Sequence, residues 1–365
     1  MELIGVEVHK SFERRTSRAL QVGNVRVGGD APVSVQSMCT TDTRDVQATL
    51  QQILTLEKAG CEIVRVAVPD AEAAQAIQLI HEQSPLPLIA DIHFDYRLAI
   101  SAIRYGADAI RLNPGNIHDE DGLRQVTDIA RRHCIPVRVG VNAGSLDRNI
   151  RKSYGGVTAE ALAASAVLAC KALERYDFYD ICVSAKASSP RLLIETYRIL
   201  AQVLPYPLHV GVTEAGVKSQ GLIHSAVGIG TLLAEGIGDT IRVSLTGDPV
   251  DEVVAGYSIL ESLDLRRRGA RLISCPTCGR TEVPLIAIAE EVDRRIADIK
   301  EPITVAVMGC SVNGPGEARE ADVGLAGGRD QFILFKKGKA IRKVSSEKAV
   351  EELMKEIQNL VYGVL

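Results

Sequence analysis

Glu62-Ile63-Val64-Arg65-Val66-Ala67-Val68 is the stretch that decides how this chain folds. It is an apolar, β-branched run of strand length, and the periodic segment Ala71–Glu82 after it reads as a helix. The same couplet recurs on both sides. Upstream, Val33-Ser34-Val35-Gln36-Ser37-Met38 reads as a strand and Arg44–Ala59 as a helix that stops at Gly60, a residue suited to a helix C-terminus. Downstream, strands are expected at Leu86–Ile92, Ala109–Asn113, Pro136–Asn142, Asp180–Lys186, Leu208–Glu214 and Thr240–Leu245. Helices fill the gaps, the clearest at Leu123–His133, Ala159–Ala172, Pro190–Leu204 and Val250–Leu263. Eight strand–helix units in this length predict an α/β fold, a closed (β/α)8 TIM barrel. An open doubly wound sheet is the alternative. No Gly-x-Gly-x-x-Gly follows the first strand, since Gly28-Gly29 precedes it and Gly228-Ile229-Gly230 lies in a helical pattern. A nicotinamide or flavin site is therefore not expected.

Composition narrows the class. The chain has 365 residues, 46% of them apolar, which is ample for a large core. The net charge of −4, the absence of Trp and the scarcity of aromatics argue against a nucleic-acid surface. Met1-Glu2-Leu3-Ile4-Gly5 lacks the cationic and apolar regions of a secretion signal, and no apolar run reaches membrane-spanning length. The expectation is a cytoplasmic protein, in which eight cysteines default to thiols or metal ligands.

A barrel of this kind carries its chemistry at the C-terminal ends of its strands. Four arginines interrupt apolar strands: Arg65, Arg111, Arg138 and Arg242. Lys186, Asn113, Asn142 and Ser244 stand at strand ends, as do Asp91, His93 and Glu214. Burying four guanidiniums and an ammonium exceeds what Asp91 and Glu214 neutralise, so the missing charge points to a ligand. Arginine forks suit phosphate oxygens, and a phosphate or diphosphate is the natural guess. For any one arginine, pairing with a helix carboxylate is an even alternative; the recurrence of the placement weakens it for all four together. His93 alone reads more readily as a hydrogen-bonded structural residue.

Beyond Arg266-Arg267-Arg268-Gly269-Ala270-Arg271, read as a solvated basic joint, the texture changes. We place a barrel domain over 1–265 and a small α+β domain over 266–365. Its helices are expected near Leu285–Asp298 and Glu347–Leu360, and its strands at Ile303–Met308, Asp322–Leu325 and Gln331–Phe335. Gly327-Gly328-Arg329-Asp330 and Lys336-Lys337-Gly338-Lys339 read as turns. Its chemistry lies in Cys275-Pro276-Thr277-Cys278-Gly279-Arg280 and Gly309-Cys310-Ser311-Val312-Asn313-Gly314-Pro315-Gly316-Glu317. Three cysteines and no histidine make an incomplete zinc set, and an iron–sulfur cluster with one differentiated iron fits better. On spacing alone the fourth ligand stays open between a carboxylate, a substrate atom, water and Cys39, which follows the first barrel strand. Cys61, Cys170 and Cys182 read as buried thiols.

These motifs resemble the bacterial 4-hydroxy-3-methylbut-2-enyl diphosphate synthases of the methylerythritol phosphate pathway. The resemblance also rests on Val35–Met38, Ala90–Asp95, Arg111–Asn116, Gly140–Ser145, Val183–Ser188, Thr213–Gly216 and Gly236–Ser244, in order along nearly the whole chain. One departure is Cys39, where the family stretch usually carries Thr. The resemblance implies a 4Fe-4S cluster held by Cys275, Cys278, Cys310 and Glu317. It implies a two-electron reduction of 2-C-methyl-D-erythritol 2,4-cyclodiphosphate to the allylic diphosphate, with reduced flavodoxin or ferredoxin as donor. A homodimer is implied, the cluster module of one chain capping the barrel of the other. The substrate is then held by Arg65, Arg111, Asn113, Arg138, Asn142, Lys186, Arg242, Ser244 and Arg280. Glu214, with Asp91 and His93, is the expected catalytic group. Glu214 is the candidate to protonate the departing hydroxyl, against the alternative that it only orients an arginine. Two other classes are compatible with the residues: a zinc-dependent barrel hydrolase or aldolase with Lys186 as Schiff-base nucleophile, and a non-catalytic iron–sulfur sensor of a diphosphate metabolite.

Overall fold

In the computed structural model, residues 13–117, 119–310, 316, 319–329 and 331–363 are described. The chain divides into two compact units, Met1–Arg266 and Arg267–Leu365.

The first unit opens with a hairpin, β1 (Leu20–Val22) and β2 (Val25–Val27), ahead of the first strand expected from the sequence. The barrel strands follow: β3 (Ser34–Met38), β4 (Ile63–Ala67), β5 (Leu88–Asp91), β6 (Ala109–Leu112), β7 (Val137–Asn142), β8 (Ile181–Lys186), β9 (His209–Val210) and β10 (Thr240–Ile241). All paired neighbours are parallel, in the order β8-β7-β6-β5-β4-β3-β10-β9. A bridge between Val183 and Leu208 brings β8 and β9 together and closes the ring, which excludes the open-sheet alternative. The hairpin plugs one end: Val22 and Val27 pack with Ile63, Ile89 and Ala109 in a separate small cluster.

Helices α1 (Val46–Ala59), α2 (Ala71–His81), α3 (Tyr96–Arg104), α4 (Glu120–Arg132), α5 (Arg148–Ser153), α6 (Ala159–Glu174), α7 (Pro190–Val203), α8 (Lys218–Ala234) and α9 (Pro249–Ser262) complete the unit. Side chains of Asp45, Asp70, Asp95, Asp119, Thr158, Ser189 and Asp248 accept the first backbone N–H groups of their helices. Each such helix therefore starts sharply, and all but α6, which follows α5, begin in the connection that leaves a strand end at the mouth of the barrel. α1 ends at Gly60, whose φ of 106° is left-handed and lets its N–H reach the carbonyls of Leu56 and Glu57.

Two strands are shorter than the sequence suggests. The apolar runs to Glu214 and Leu245 predict long β9 and β10, yet each has two residues. At Gly211 a Cβ would lie 2.5 Å from the Arg242 carbonyl oxygen, and Glu214 has φ 53°, so the chain leaves the ladder. Where β8 and β9 part, Tyr197 of α7 fills the gap. Its buried hydroxyl accepts from the Ala185 N–H at 3.0 Å and donates to the His209 carbonyl. Arg266 is also unlike its expectation as a solvated joint: it pairs with Glu62 at 2.7 Å, donates to the Val33 carbonyl and lies over the Tyr257 ring.

The second unit is a five-stranded mixed sheet in the order β11-β12-β13-β14-β15. β11 (Arg271–Ser274), β12 (Thr304–Met308) and β13 (Val323–Gly328) are parallel; β14 (Gln331–Lys336) and β15 (Lys339–Ser345) continue it antiparallel. Helices α10 (Leu285–Ile296) and α11 (Ala349–Tyr362) bury Ile288, Val292, Leu353 and Ile357 with Val305, Leu325 and Phe332. β11 and β15 were not expected. Both are short on apolar residues, and β15 is exposed at six of its seven positions, all but Val344. The turn between β14 and β15 is confined to Lys337 and Gly338, both left-handed.

Replacing Tyr197 with Phe leaves two buried backbone groups without a partner. It should lower the unfolding free energy by about 2–4 kcal/mol, read as a fall in urea midpoint at unchanged m-value.

Candidate active site

A cavity of about 270 Å³ opens at the strand ends of the first unit, lined by Arg65, Asp91, His93, Arg111, Asn142, Lys186, Thr213, Arg242 and Ser244. Side chains alternate across a strand, so Arg65, Asp91, Arg111 and Arg242 share the barrel interior while Val64, Val66 and Ile110 pack outward.

The cations are held in place individually. Asp91 lies 3.3 Å from Arg111 and 3.7 Å from Arg65. Burial pushes the Asp91 carboxyl up, but Arg65 and Arg111 outweigh it and hold it below the usual carboxylate range. Arg111 crosses β7, donating to the Gly140 carbonyl at 3.2 Å. A Cβ on residue 140 would stand 2.2 Å from the Arg111 Nε, so only glycine permits this crossing. Arg138 sits deeper and does not line the cavity. It donates to Gln36 Oε1 at 2.9 Å, and burial pulls it down to about 10. Arg242 is held by Glu252 of α9 at 3.2 Å. Arg65 and Arg242 both also turn toward the Met38 sulfur, at 2.8 Å and 3.7 Å.

Lys186 is buried and makes no ion pair among the described residues. Burial first, and then Arg65, Arg242, Arg138 and Arg111, force it well below the ordinary lysine range. Arg65 is driven down by the same burial. The field reaches the barrel interior below, where His209 is held far down by burial and by Arg138 and Lys186. Five cations thus face two carboxylates, Asp91 and Glu252. Sequence reasoning missed Glu252, which lies on a helix, and Gln36, which looked like one polar residue in a strand. It expected Glu214 to be the second carboxylate. Glu214 is instead on an exposed loop after Thr213 and does not line the cavity.

Asn113 is buried at the edge of a neighbouring cavity of about 580 Å³, shared with Phe94, Ser145, Leu146 and Arg148. Cys39, left open as a thiol near the mouth, packs in the hydrophobic core, and burial pushes it up to about 12. Cys61, Cys170 and Cys182 are buried as well, and their thiols are likewise raised by burial.

In the second unit, the register Ser274↔Val307 sets Cys275 just past β11 beside the end of β12. The Gly309 N–H donates to Cys275 Sγ at 3.2 Å, and Cys310 follows directly. Cys278 is exposed on the turn, and the Arg280 backbone N–H draws its thiol below the usual range. Arg280 is exposed on the same turn. Glu317 lies outside the described residues. Among the described residues no three His, Cys, Asp or Glu side chains converge on one ion position.

Residues 17–257 match the family model described as the GcpE TIM-barrel domain, and 271–359 the one described as the GcpE protein C-terminal domain. A protein of Ruminiclostridium cellulolyticum named 4-hydroxy-3-methylbut-2-en-1-yl diphosphate synthase (flavodoxin) is 55% identical over 349 residues, covering 96% of this chain and 99% of that one. A protein of the same name from Geobacter sulfurreducens is 55% identical over 345 residues, covering 94% and 98%. Among solved structures, a type I 3-dehydroquinate dehydratase from Clostridium difficile superposes with a TM-score of 0.50 at 10% identity, over 68% of this chain and 98% of that one, a likeness of fold alone.

An anion entering the cavity offsets the charge that depresses Lys186. Its pKa then rises, so binding takes up protons in the range between the two values and weakens as pH increases through it. Calorimetric titration with pyrophosphate at about pH 8.5, in buffers of different ionisation enthalpy, should show more proton uptake by this protein than by Lys186→Met.

Proposed function

This chain belongs to the GcpE family, and from that premise we propose that it converts 2-C-methyl-D-erythritol 2,4-cyclodiphosphate to (E)-4-hydroxy-3-methylbut-2-enyl diphosphate in isoprenoid precursor synthesis. It is an oxidoreductase whose electrons come from reduced flavodoxin, the donor that the relatives' names carry. The observation that carries the reading is the excess of buried cations around the 270 Å³ cavity, which calls for a compact, multiply charged anion.

The donor set of the second unit fits an iron–sulfur cluster. Two of its thiols follow neighbouring parallel strands, and a backbone N–H already points at the Cys275 sulfur. Cys275, Cys278, Cys310 and Glu317 would hold a 4Fe-4S cluster, three soft donors and one hard one. When bound, such a cluster supplies the two electrons singly. A cytoplasmic homodimer, in which the module of one chain serves the barrel of the other, belongs to the same proposal. Among the described residues no helix is long and apolar enough to cross a membrane.

The barrel residues do the rest. Arg65, Arg111, Arg242 and Lys186 grip the diphosphate oxygens and, with Arg138 beneath, stabilise the charge that grows on them as the ring C–O bond opens. The four arginines are fixed before substrate arrives by Asp91, Gln36 and Glu252, so they need little reorganisation. Asn142 and Ser244 offer neutral contacts at the rim; Asn113 and Arg280 complete the proposed set. The departing hydroxyl leaves as water and needs a proton. Glu214, beside Thr213 on the mouth loop, is the proposed source; its left-handed backbone at φ 53° is the kind of local strain found at working sites. Asp91 and His93, 3.8 Å apart, orient the substrate beside it.

Protein purified without oxygen should contain close to four irons and four labile sulfides per chain and turn over the cyclodiphosphate with flavodoxin. Colourless protein with stoichiometric zinc would overturn the proposal. Glu214→Gln should keep the iron and the pyrophosphate affinity while kcat falls about a hundredfold or more. Unchanged kcat would remove Glu214 from proton transfer.

A further inference from the structure

Glu252 is the least expected carboxylate in the first unit. It projects from α9, outside the strand ring, and is only 3% exposed. One oxygen accepts from Arg242 Nε at 3.2 Å and from the Ser37 hydroxyl at 3.2 Å. The other accepts from the Leu245 N–H at 3.0 Å and faces Arg242 Nη2 at 3.5 Å. It thus ties together a cavity arginine, the outer face of β3 and the backbone that follows Ser244. β10 stops at Ile241; beyond it the Arg242 N–H still donates to the Val210 carbonyl at 3.0 Å and the Thr246 N–H to the Gly216 carbonyl at 3.2 Å. Between these two ties, at Leu245, the α9 carboxylate holds the backbone.

We propose that Glu252 is a positioning residue for anion binding: it holds the Arg242 fork and the Ser244–Leu245 backbone at the height from which both reach the bound diphosphate. The inference rests on the diphosphate reading of the cavity. The geometry favours positioning over simple neutralisation. Arg242 meets Glu252 through Nε and Nη2, leaving Nη1 turned into the barrel toward Met38 Sδ. A side-on grip of this kind fixes the rotation of a guanidinium, which a point countercharge does not.

The two roles make opposite predictions. Removing a negative charge beside a cationic cavity strengthens anion binding if charge alone matters. Loss of positioning weakens it. Anaerobically prepared, cluster-loaded full-length protein is titrated with pyrophosphate by calorimetry as wild type, Glu252→Gln and Glu252→Asp, with melting temperatures alongside. We expect Kd about tenfold weaker for Glu252→Gln. Glu252→Asp, which keeps the charge but draws the fork back by one methylene, should also weaken binding. In an Arg242→Met background, Glu252→Gln should weaken binding by a smaller factor than it does alone, since only the Ser244–Leu245 hold is left to lose. Tighter or unchanged binding by Glu252→Gln, or full affinity in Glu252→Asp, overturns the positioning role while leaving the cavity reading intact. A fall in melting temperature with unchanged Kd assigns Glu252 to stability alone and overturns it too. Wild-type protein that fails to bind pyrophosphate overturns the cavity reading and the inference together.

Discussion

The interaction on which the rest depends is the bond of Asp91 to Arg65 and Arg111 at the floor of the cavity. Two guanidiniums buried side by side repel one another and have lost most of their hydration. Asp91 makes their coexistence tolerable, and its low pKa is the mark of how firmly the pair holds it. The same carboxylate cannot also neutralise Arg138, Arg242 and Lys186. Arg138 turns to a neutral amide, Arg242 to a carboxylate outside the ring, and Lys186 gives up part of its hold on its proton. The unliganded barrel therefore keeps a positive interior that folding alone does not resolve. An anionic ligand resolves it, which is why the charge imbalance speaks about function more directly than any single residue does.

Holding such a cluster open requires support from every layer. The capping carboxylates fix where the helices start and satisfy their first N–H groups at the mouth without placing another charged side chain inside. Gly140 gives up a side chain so that Arg111 can lie across its strand. The hairpin seals the other end with Val22 and Val27, keeping water from screening the interior from below. At the β8–β9 seam, the Tyr197 hydroxyl substitutes for backbone pairing one residue before Lys186.

Much of this was legible in the sequence, for a physical reason. An arginine between β-branched neighbours in a barrel strand has two directions available, and the one toward the helices is already filled by apolar side chains. Arg65, Arg111, Arg138 and Arg242 therefore had to turn inward, and the strand ends that carry Asp91, Asn142, Lys186 and Ser244 had to meet. What escaped notice was whatever depends on contacts across the fold. Glu252 looks like any acidic residue in the first turn of a helix, and only the packing of α9 on β3 reveals it as buried. Tyr197 reads as an ordinary helix-face aromatic. The hairpin did carry a signal, Leu20-Gln21-Val22 and Val25-Arg26-Val27 alternating about Gly23-Asn24, but it stands outside the strand–helix repeat. The extended reading of residues 208–214 failed because the run stays apolar while Gly211 and the left-handed Glu214 end the ladder. Cys39 looked like a rim residue from its place after β3, yet its thiol turns into the core.

The second unit repeats the logic of the first with different chemistry. Parallel strands joined by a helix deliver their C-terminal ends to the same edge, so residues far apart in sequence arrive together in fixed register. In the barrel this gathers arginines from four strands. In the small sheet it gathers Cys275 after β11 and Cys310 after β12, thirty-five positions apart by their numbers, beside one another. A turn could not hold that spacing. The ladder Arg271↔Thr304 to Ser274↔Val307 does, because slipping it by one residue would turn Leu272 and Val305 out of the core they share. The third thiol, Cys278, needs no such ladder: it lies within one turn of Cys275 and is tethered by the Thr281 hydroxyl, which accepts the Cys278 N–H at 3.1 Å. Rigid strands thus set the long-range part of the proposed donor set and a short turn supplies the local part, so that the proposed cluster would be held firmly from both.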